Sequence, residues 1–211
     1  MNTDPIAFFE TELPAHFAKG VEALRGASGP SAKAELDDVL GSKGTIRVIV
    51  EGLGERWAKV EDGAMTVSEA KPEGFPVRAA ITLDSATAEG ALKLLDESGR
   101  FDDPEAPKRF VRIASARAEK LLTGHKIDFH VILTDLPEEM SASEEITVKL
   151  AIGAETSGPK PQFTARISYD DLEDLREGDI TPQQILGRLR LQGDASKAMA
   201  LGMMLMQPPK K

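Results

Sequence analysis

The chain has 211 residues, no cysteine and a formal net charge of −9 at neutral pH. Hydrophobic residues make up 41% and charged residues 29%, a balance typical of a globular protein of one or two domains and not of a disordered chain. The lack of cysteine excludes disulfides, thiolate metal sites and cysteine nucleophiles, and the acidic balance argues against nucleic acid as a partner.

Neither end of the sequence carries a recognisable targeting signal. Met1 to Pro5 lack the positive region before an apolar run that a secretory signal needs, and Gln207 to Lys211 form no peroxisomal signal. No stretch approaches the roughly 20 apolar residues needed to span a bilayer. We therefore expect a soluble, cytoplasmic protein without stable membrane insertion.

The first forty residues predict two helices. Pro14 can break or kink the first one, and the breaker cluster 26–30 separates it from a short second helix capped by Ser31 and ended by Gly41. Apolar residues of the first helix recur at three- and four-residue spacings, which places them on one stripe: Ile6, Phe9, Leu13, Phe17, Val21 and Leu24.

From Gly44 the apolar period changes from near 3.6 to 2, which indicates strands. Four are predicted, at 46–50, around Trp57, at 65–67 and at 77–83, and Asp62-Gly63 is a strong hairpin dipeptide. Three hairpin-linked strands followed by a fourth predict an antiparallel sheet with one solvated face.

After the fourth strand the sequence again predicts helices, then strands, then helices. Two helices are expected after Ser85, the second from Phe110 to Leu122, and the strand period then returns. Further strands are predicted at 127–133, 146–152, 163–167 and 189–191, and helices at 170–177, from Pro182 and from Ala195.

The order of elements predicts an α+β fold, a mostly antiparallel twisted sheet covered by helices. Segments 76–82 and 163–168 are similar alternating strands, each followed by a helix. This similarity has two explanations. The two halves are related by duplication, or the similarity is one that any two strand-to-helix connections share.

The stretch from Phe163 to Met206, about a fifth of the chain, resembles the C-terminal part of the sterol carrier protein type 2 family. Phe163 to Gly178 match its alternating strand, acidic helix start and closing glycine. Thr181 to Asp194 match its Pro-started helix, glycine, short basic-apolar strand and Gly-Asp. The first half lacks a clear Gly-Arg-Leu-x-Leu-x-Gly-Asp segment.

The resemblance suggests two units. Residues 1–124 would hold a helical N-terminus with a divergent sterol-carrier-like sheet, and residues 125–211 the C-terminal unit. The chain is then either a divergent tandem or a single unit that is inserted or extended. The resemblance implies a mixed sheet with an apolar tunnel beneath its helices, for sterols, fatty acids, acyl-CoA esters or other lipids, and no shared catalytic residues.

The last helix, Ala195 to Met206, is apolar nearly all round, so it must be covered on more than one side. It can be an ordinary core helix, a wall of a lipid cavity or an oligomer interface, and methionine suits adaptable apolar surfaces. The sheet floor beneath it would be either ligand-binding or simple core. The candidate ligand-binding residues are Phe129, Val131, Phe163, Ile167, Leu189, Leu191, Met199, Met203, Met204 and Met206.

The sequence contains little that indicates metal binding, phosphate binding or nucleophilic catalysis. His16, His125 and His130 have no metal-ligand spacing. The acidic group formed by Asp170, Asp171, Glu173 and Asp174 fits a helix N-terminus. No phosphate loop or Gly-x-Ser-x-Gly elbow is present.

We therefore expect no metal, no cofactor and no catalytic residues. The predicted function is non-catalytic binding or transfer of an apolar molecule, such as a lipid, a fatty acyl group, a sterol or a quinone. The alternative is an interaction module without a cavity, in a homodimer or accessory to a lipid-metabolising enzyme. An enzyme acting on a lipid-like substrate is the third reading.

Overall fold

A computed structural model describes residues 4–97, 115–116, 120, 124–137 and 144–206. The helix expected from Phe110 to Leu122 falls almost wholly outside them. The helices are α1 (Pro5–Ala7), α2 (Leu13–Gly26), α3 (Pro30–Leu40), α4 (Ser85–Glu97), α5 (Tyr169–Glu177), α6 (Pro182–Arg188) and α7 (Ala195–Met206). The strands are β1 (Lys43–Glu51), β2 (Gly54–Glu61), β3 (Ala64–Ser68), β4 (Val77–Asp84), β5 (Ile127–Thr134), β6 (Ile146–Ile152), β7 (Phe163–Ser168) and β8 (Arg190–Gly193).

The N-terminal helices differ in two details from the prediction. A π-helical turn, Phe8–Glu12, joins α1 to α2 without a break, and the N–H of Leu13 donates to the carbonyl of Phe8 just before Pro14. Pro14 is the second residue of α2 and directly follows this π turn, where the regular α-helical hydrogen bonding is already interrupted, so its missing N–H costs less than in a regular helix interior. Helix α3 begins at Pro30 after Gly29, not at a Ser31 cap, because proline is favoured at a first helical position.

The eight described strands form one mixed sheet in the order β3-β2-β1-β4-β6-β5-β7-β8. The α+β prediction is confirmed, but the expected antiparallel arrangement is wrong in two places: β4 runs parallel to β1, and β7 runs parallel to β5. The cause in the first case is the return path of the chain. The N–H of Thr45, near the start of β1, donates to the carbonyl of Pro76 at 2.9 Å, so β4 begins at the same end as β1.

The two halves of the chain have similar connectivity. In each, a hairpin is followed by a strand parallel to its first member and then by a helix: β1-β2, β4 and α4, and again β5-β6, β7 and α5. The first half differs in having the further strand β3 between β2 and β4. The antiparallel pairing of β4 with β6 joins them into a single sheet. The boundary after residue 124 stays a prediction, since the sheet is continuous across it.

One face of the sheet carries the described helices. Val48 and Val50 pack with Leu83 and with Ala88 of α4, whereas the alternating Arg47 points to the opposite face, where it binds Glu55. Between β2 and β3, Asp62 and Gly63 both have positive φ, as the predicted tight hairpin requires. In the part of the chain that the structure describes, no helix is long and apolar enough to cross a bilayer.

Candidate ligand-binding cavity

The floor of the cavity is the helix-facing side of β5, β6, β7 and β8. Parallel pairing sets Phe129 beside Phe163 and Val131 beside Ala165, and antiparallel pairing sets Leu191 beside Ala165. The rings of Phe129 and Phe163 are stacked, with centroids 4.9 Å apart and an angle of 13° between their planes. Side chains on one face of a strand alternate with those on the other, so the apolar period of two becomes an apolar floor.

Helices α5, α6 and α7 lie over this floor, and a side-chain hydrogen bond caps the N-terminus of each helix. Ser168 accepts from the N–H of Asp171 at 3.2 Å, and Thr181 and Gln184 form a capping box. Asp194 accepts from the N–H of Lys197 at 3.1 Å. These bonds satisfy backbone donors at the helix starts.

Two glycines permit close approaches at the edge of the cavity. Gly193, at the end of β8, has a φ of +92°, and a Cβ there would lie 2.5 Å from the carbonyl oxygen of Gln162. Gly202 of α7 brings that helix against α6, where a Cβ would lie 3.0 Å from Leu186. The glycines thus let β8 join the edge of the floor and let α7 pack against α6 above it.

A cavity of about 590 Å³ remains between the floor and these helices. Most of the side chains around it are aliphatic or aromatic. The lining residues are Ala91, Phe129, Val131, Leu133, Ile146, Val148, Phe163, Ala165, Ile167, Tyr169, Leu172, Glu173, Leu175, Ile185, Leu186, Leu189, Leu191, Ala198, Met199, Leu201 and Gly202.

The structure brings together most of the residues singled out from the sequence. Around this cavity lie Phe129, Val131, Phe163, Ile167, Leu189, Leu191 and Met199. The side chains of Met203, Met204 and Met206 lie outside the described part of the chain, so their place in the site stays a prediction.

Sequence reasoning missed other parts of the wall. Leu133, Ile146 and Val148 belong to the same alternating strands, and their period was a usable signal. Leu172 and Leu175 of α5 recur at a three-residue spacing, which is also a helical face. Nothing in the sequence distinguished a wall residue from a core residue.

The acidic start of α5 divides into two groups. Arg188 donates to Asp171 at 2.7 Å and to Asp174 at 2.8 Å, on the outside of the helix pair. The Arg188 hydrogen bond, with a second bond from Ser168, lowers the pKa of Asp171 below its ordinary value. Glu173 instead lies in the cavity wall, four residues from Tyr169. The sequence had placed Glu173 with the others as a helix-terminal charge.

The remaining titratable candidates lie elsewhere. His130 follows Phe129 on β5 and so points to the face opposite the cavity, between Lys149 and Thr164 on the neighbouring strands. Burial is the main cause that lowers the pKa of His16 in α2. Among the residues described, no three histidine, aspartate or glutamate side chains are grouped so that they could hold a metal ion.

Comparison with known proteins identified no relative of this chain. Neither a protein-family model, nor a curated protein, nor a solved structure matches this chain. The resemblance to sterol carrier proteins therefore rests on the sequence pattern alone.

Proposed function

We propose that this protein binds or transfers an apolar molecule, such as a lipid, a fatty acyl group, a sterol or a quinone, in the cavity beneath α5, α6 and α7. The observation that carries the proposal is the cavity of about 590 Å³ with its nearly continuous apolar lining. Its volume lies within the range of small-molecule sites, roughly 300–1,000 Å³. The proposal involves no metal, no cofactor and no catalysis, and it places the protein in the cytoplasm.

The energetics favour an apolar occupant. An apolar cavity gives water few hydrogen-bond partners, so water gains little by entering it. Burying one methylene contributes about 0.8 kcal/mol, so a ten-carbon chain supplies roughly 8 kcal/mol before the costs of association and ordering. No charged partner is needed for binding of that strength.

Met199 supplies a route of access. Its side chain borders the cavity, yet the residue is 39% exposed, so α7 is both a wall and part of the surface at this point. A flexible thioether can change rotamer at small cost and open a gap for an elongated molecule. We therefore place the entrance beside Met199.

The test combines extraction with a binding titration. Organic extraction of the purified protein followed by mass spectrometry should recover a bound lipid, and the neutral dye Nile red should bind saturably to the stripped protein. Finding no extractable lipid and no saturable dye binding would contradict the proposal.

A matched pair of variants ties binding to the cavity. Ala165→Leu fills space at the floor, whereas Thr164→Leu adds a similar side chain to the other face of the same strand. We expect Ala165→Leu to weaken dye binding at least about tenfold, the effect of losing two buried methylenes. Thr164→Leu should leave it unchanged, and equal effects in the two variants would place the dye elsewhere.

The second candidate is an interaction module, and the exposure of Met199 favours it. Here α7 would pack in a homodimer or against a partner enzyme. Light scattering on the wild type and on Met199→Lys separates the two functions. A wild type that is dimeric, a variant that is monomeric and no saturable dye binding by either would favour the module. A wild type that is monomeric with a full binding site would favour the carrier.

A further inference from the structure

We propose that Ala165 sets the size of the largest apolar molecule that the cavity admits, and that the limit is one hydrocarbon chain or one ring system of about twenty carbon atoms. The inference rests on the proposed function and adds to it a size class and a specificity-determining residue. Lipids with two long chains are then excluded from the site.

The floor of the cavity is lowest at Ala165. Among the strand residues of the described chain that line the cavity, Ala165 is the single alanine. Its neighbours on the adjacent strands are Val131 on one side and Leu191 on the other. Along β7 itself, Phe163 and Ile167 are the next residues on the same face. A methyl group is thus surrounded by larger side chains, and it leaves a depression at the centre of the floor.

The space above Ala165 lies between two packed regions. Ile167 packs in a cluster with Ile185 of α6, and Phe163 packs in another cluster with Ala198 of α7. Ala165 is 7% exposed, yet it belongs to neither of these clusters in the described part of the chain. The cavity therefore separates the two clusters, and Ala165 forms its base.

The volume of the cavity limits its occupant to a single chain. In a liquid a methylene occupies nearly the volume of a water molecule, roughly 30 Å³, so a cavity of about 590 Å³ holds about twenty carbon atoms. Two chains of the usual membrane length contain nearly twice as many. A two-chain lipid that left a bilayer for this cavity would expose one chain to water, and each exposed methylene would weaken binding about fourfold.

A larger side chain at Ala165 should lower this limit by a known amount. Leucine adds an isopropyl group to the floor, roughly 90 Å³ at 30 Å³ for each carbon, which reduces the capacity to about seventeen carbons. Octadecan-1-ol nearly fills the wild-type cavity and exceeds what Ala165→Leu leaves. Decan-1-ol occupies about half of the wild-type cavity and fits both proteins.

The first experiment measures the loss of affinity as a function of ligand size. Decan-1-ol and octadecan-1-ol, delivered from cyclodextrin, compete with Nile red on the full-length protein, and each competition is corrected for the affinity of that variant for the dye. The ratio of wild-type to variant affinity is compared for each alcohol, because the different solubilities of the alcohols cancel in it. Thr164→Leu is the matched control, since it adds a similar side chain to the opposite face of β7.

We expect Ala165→Leu to weaken binding of octadecan-1-ol about tenfold and that of decan-1-ol by less than about twofold. Ala165→Val adds fewer carbons and should weaken octadecan-1-ol by an intermediate factor. Thr164→Leu should change neither affinity. Binding of decan-1-ol shows in the same assay that the cavity of each variant is intact, and Ala165→Val carries the test if circular dichroism shows that Ala165→Leu does not fold.

The second experiment tests the limit of one chain. The protein is incubated with phosphatidylcholine vesicles that contain monooleoylglycerol and dioleoylglycerol in equal amounts, separated from the vesicles, extracted and analysed by mass spectrometry. A protein-free sample corrects for the monooleoylglycerol that leaves the vesicles unaided. We expect monooleoylglycerol to be recovered with the protein in at least about tenfold excess over dioleoylglycerol, because the second oleoyl chain finds no room in the cavity.

The inference is overturned, with the proposed function still in place, if Ala165→Leu weakens both alcohols equally or weakens neither. The same holds if Thr164→Leu has an equal effect, or if dioleoylglycerol is recovered as readily as monooleoylglycerol. If the wild type binds neither Nile red nor either alcohol, the proposed function fails and this inference fails with it.

Discussion

The two halves of the sheet have similar connectivity but are covered differently. Over β2 and β3, the helices α2 and α3 pack Phe17, Val21 and Val39 against Val60 and Met65, and Phe17 is 0% exposed. Over β5 and β7, the helices α5, α6 and α7 leave a cavity of about 590 Å³. The difference shows that strand order does not decide whether a cavity remains above the sheet. The side chains that the covering helices bring down onto it decide that.

The largest effect should come from removing a fully packed side chain in the first half. Phe17→Ala is expected to cost roughly 3–5 kcal/mol of unfolding free energy, because the ring is completely buried and leaves a void. The same truncation of Phe129 should cost at least about 1 kcal/mol less, since that ring already borders empty space. Urea denaturation measures both values, and equal losses would mean that the halves are packed alike.

The second effect concerns the backbone that closes the floor. Gly193→Ala should destabilise the protein by about 2–3 kcal/mol, because it forces a side chain into a left-handed conformation and against the carbonyl of Gln162. Gly187→Ala, in α6, has open space around its Cβ and should be neutral or slightly stabilising. Thermal unfolding of the two variants checks this, and a loss of similar size at both positions would contradict it.

A matched pair of substitutions that enlarge a side chain tests the difference in packing between the two halves directly. Ala58, 3% exposed, faces α2 from β2, and Ala165, 7% exposed, faces the cavity from β7. Ala58→Leu should overpack its site and cost about 1–3 kcal/mol. Ala165→Leu should change stability by less than about 1 kcal/mol, because its added methylenes enter empty space. A larger loss at Ala165 than at Ala58, measured in denaturant, would show that the cavity is not a void.

The smallest effect is electrostatic. The folded state holds the pKa of Asp171 below its ordinary value of 3.8, chiefly through the Arg188 hydrogen bond. A carboxyl whose pKa is lower in the folded than in the unfolded state stabilises the fold at pH values above its unfolded-state pKa. This stabilisation is lost as the pH falls through the folded-state pKa. The stability difference between wild type and Asp171→Asn should therefore shrink below about pH 4, and it should be under about 1 kcal/mol at neutral pH. Arg188→Gln should flatten the profile similarly, and a difference that stays constant from pH 6 to pH 2 would exclude the mechanism.

The sequence predicted the elements better than their arrangement. The alternation at 46–50 and 127–133 gave strands, and Asp62-Gly63 gave the hairpin. The parallel direction of β4 was missed because it depends on where the 69–76 connection returns, which no local period records. The cavity was expected from the family resemblance alone and not from the apolar period, because an apolar residue at a cavity has the same pattern as one in a packed core. The role of Glu173 in the wall depends on the rotation of α5, which a cluster of four acids does not reveal.

Both borders of the sheet are short strands. The strand at one border, β3, has five residues, and β8 at the other has four, with Arg190 and Gln192 exposed. A neighbouring molecule therefore finds only a few free backbone groups to extend, and a charged side chain stands among them at β8. The described borders of this sheet thus offer little template for growth into fibrils.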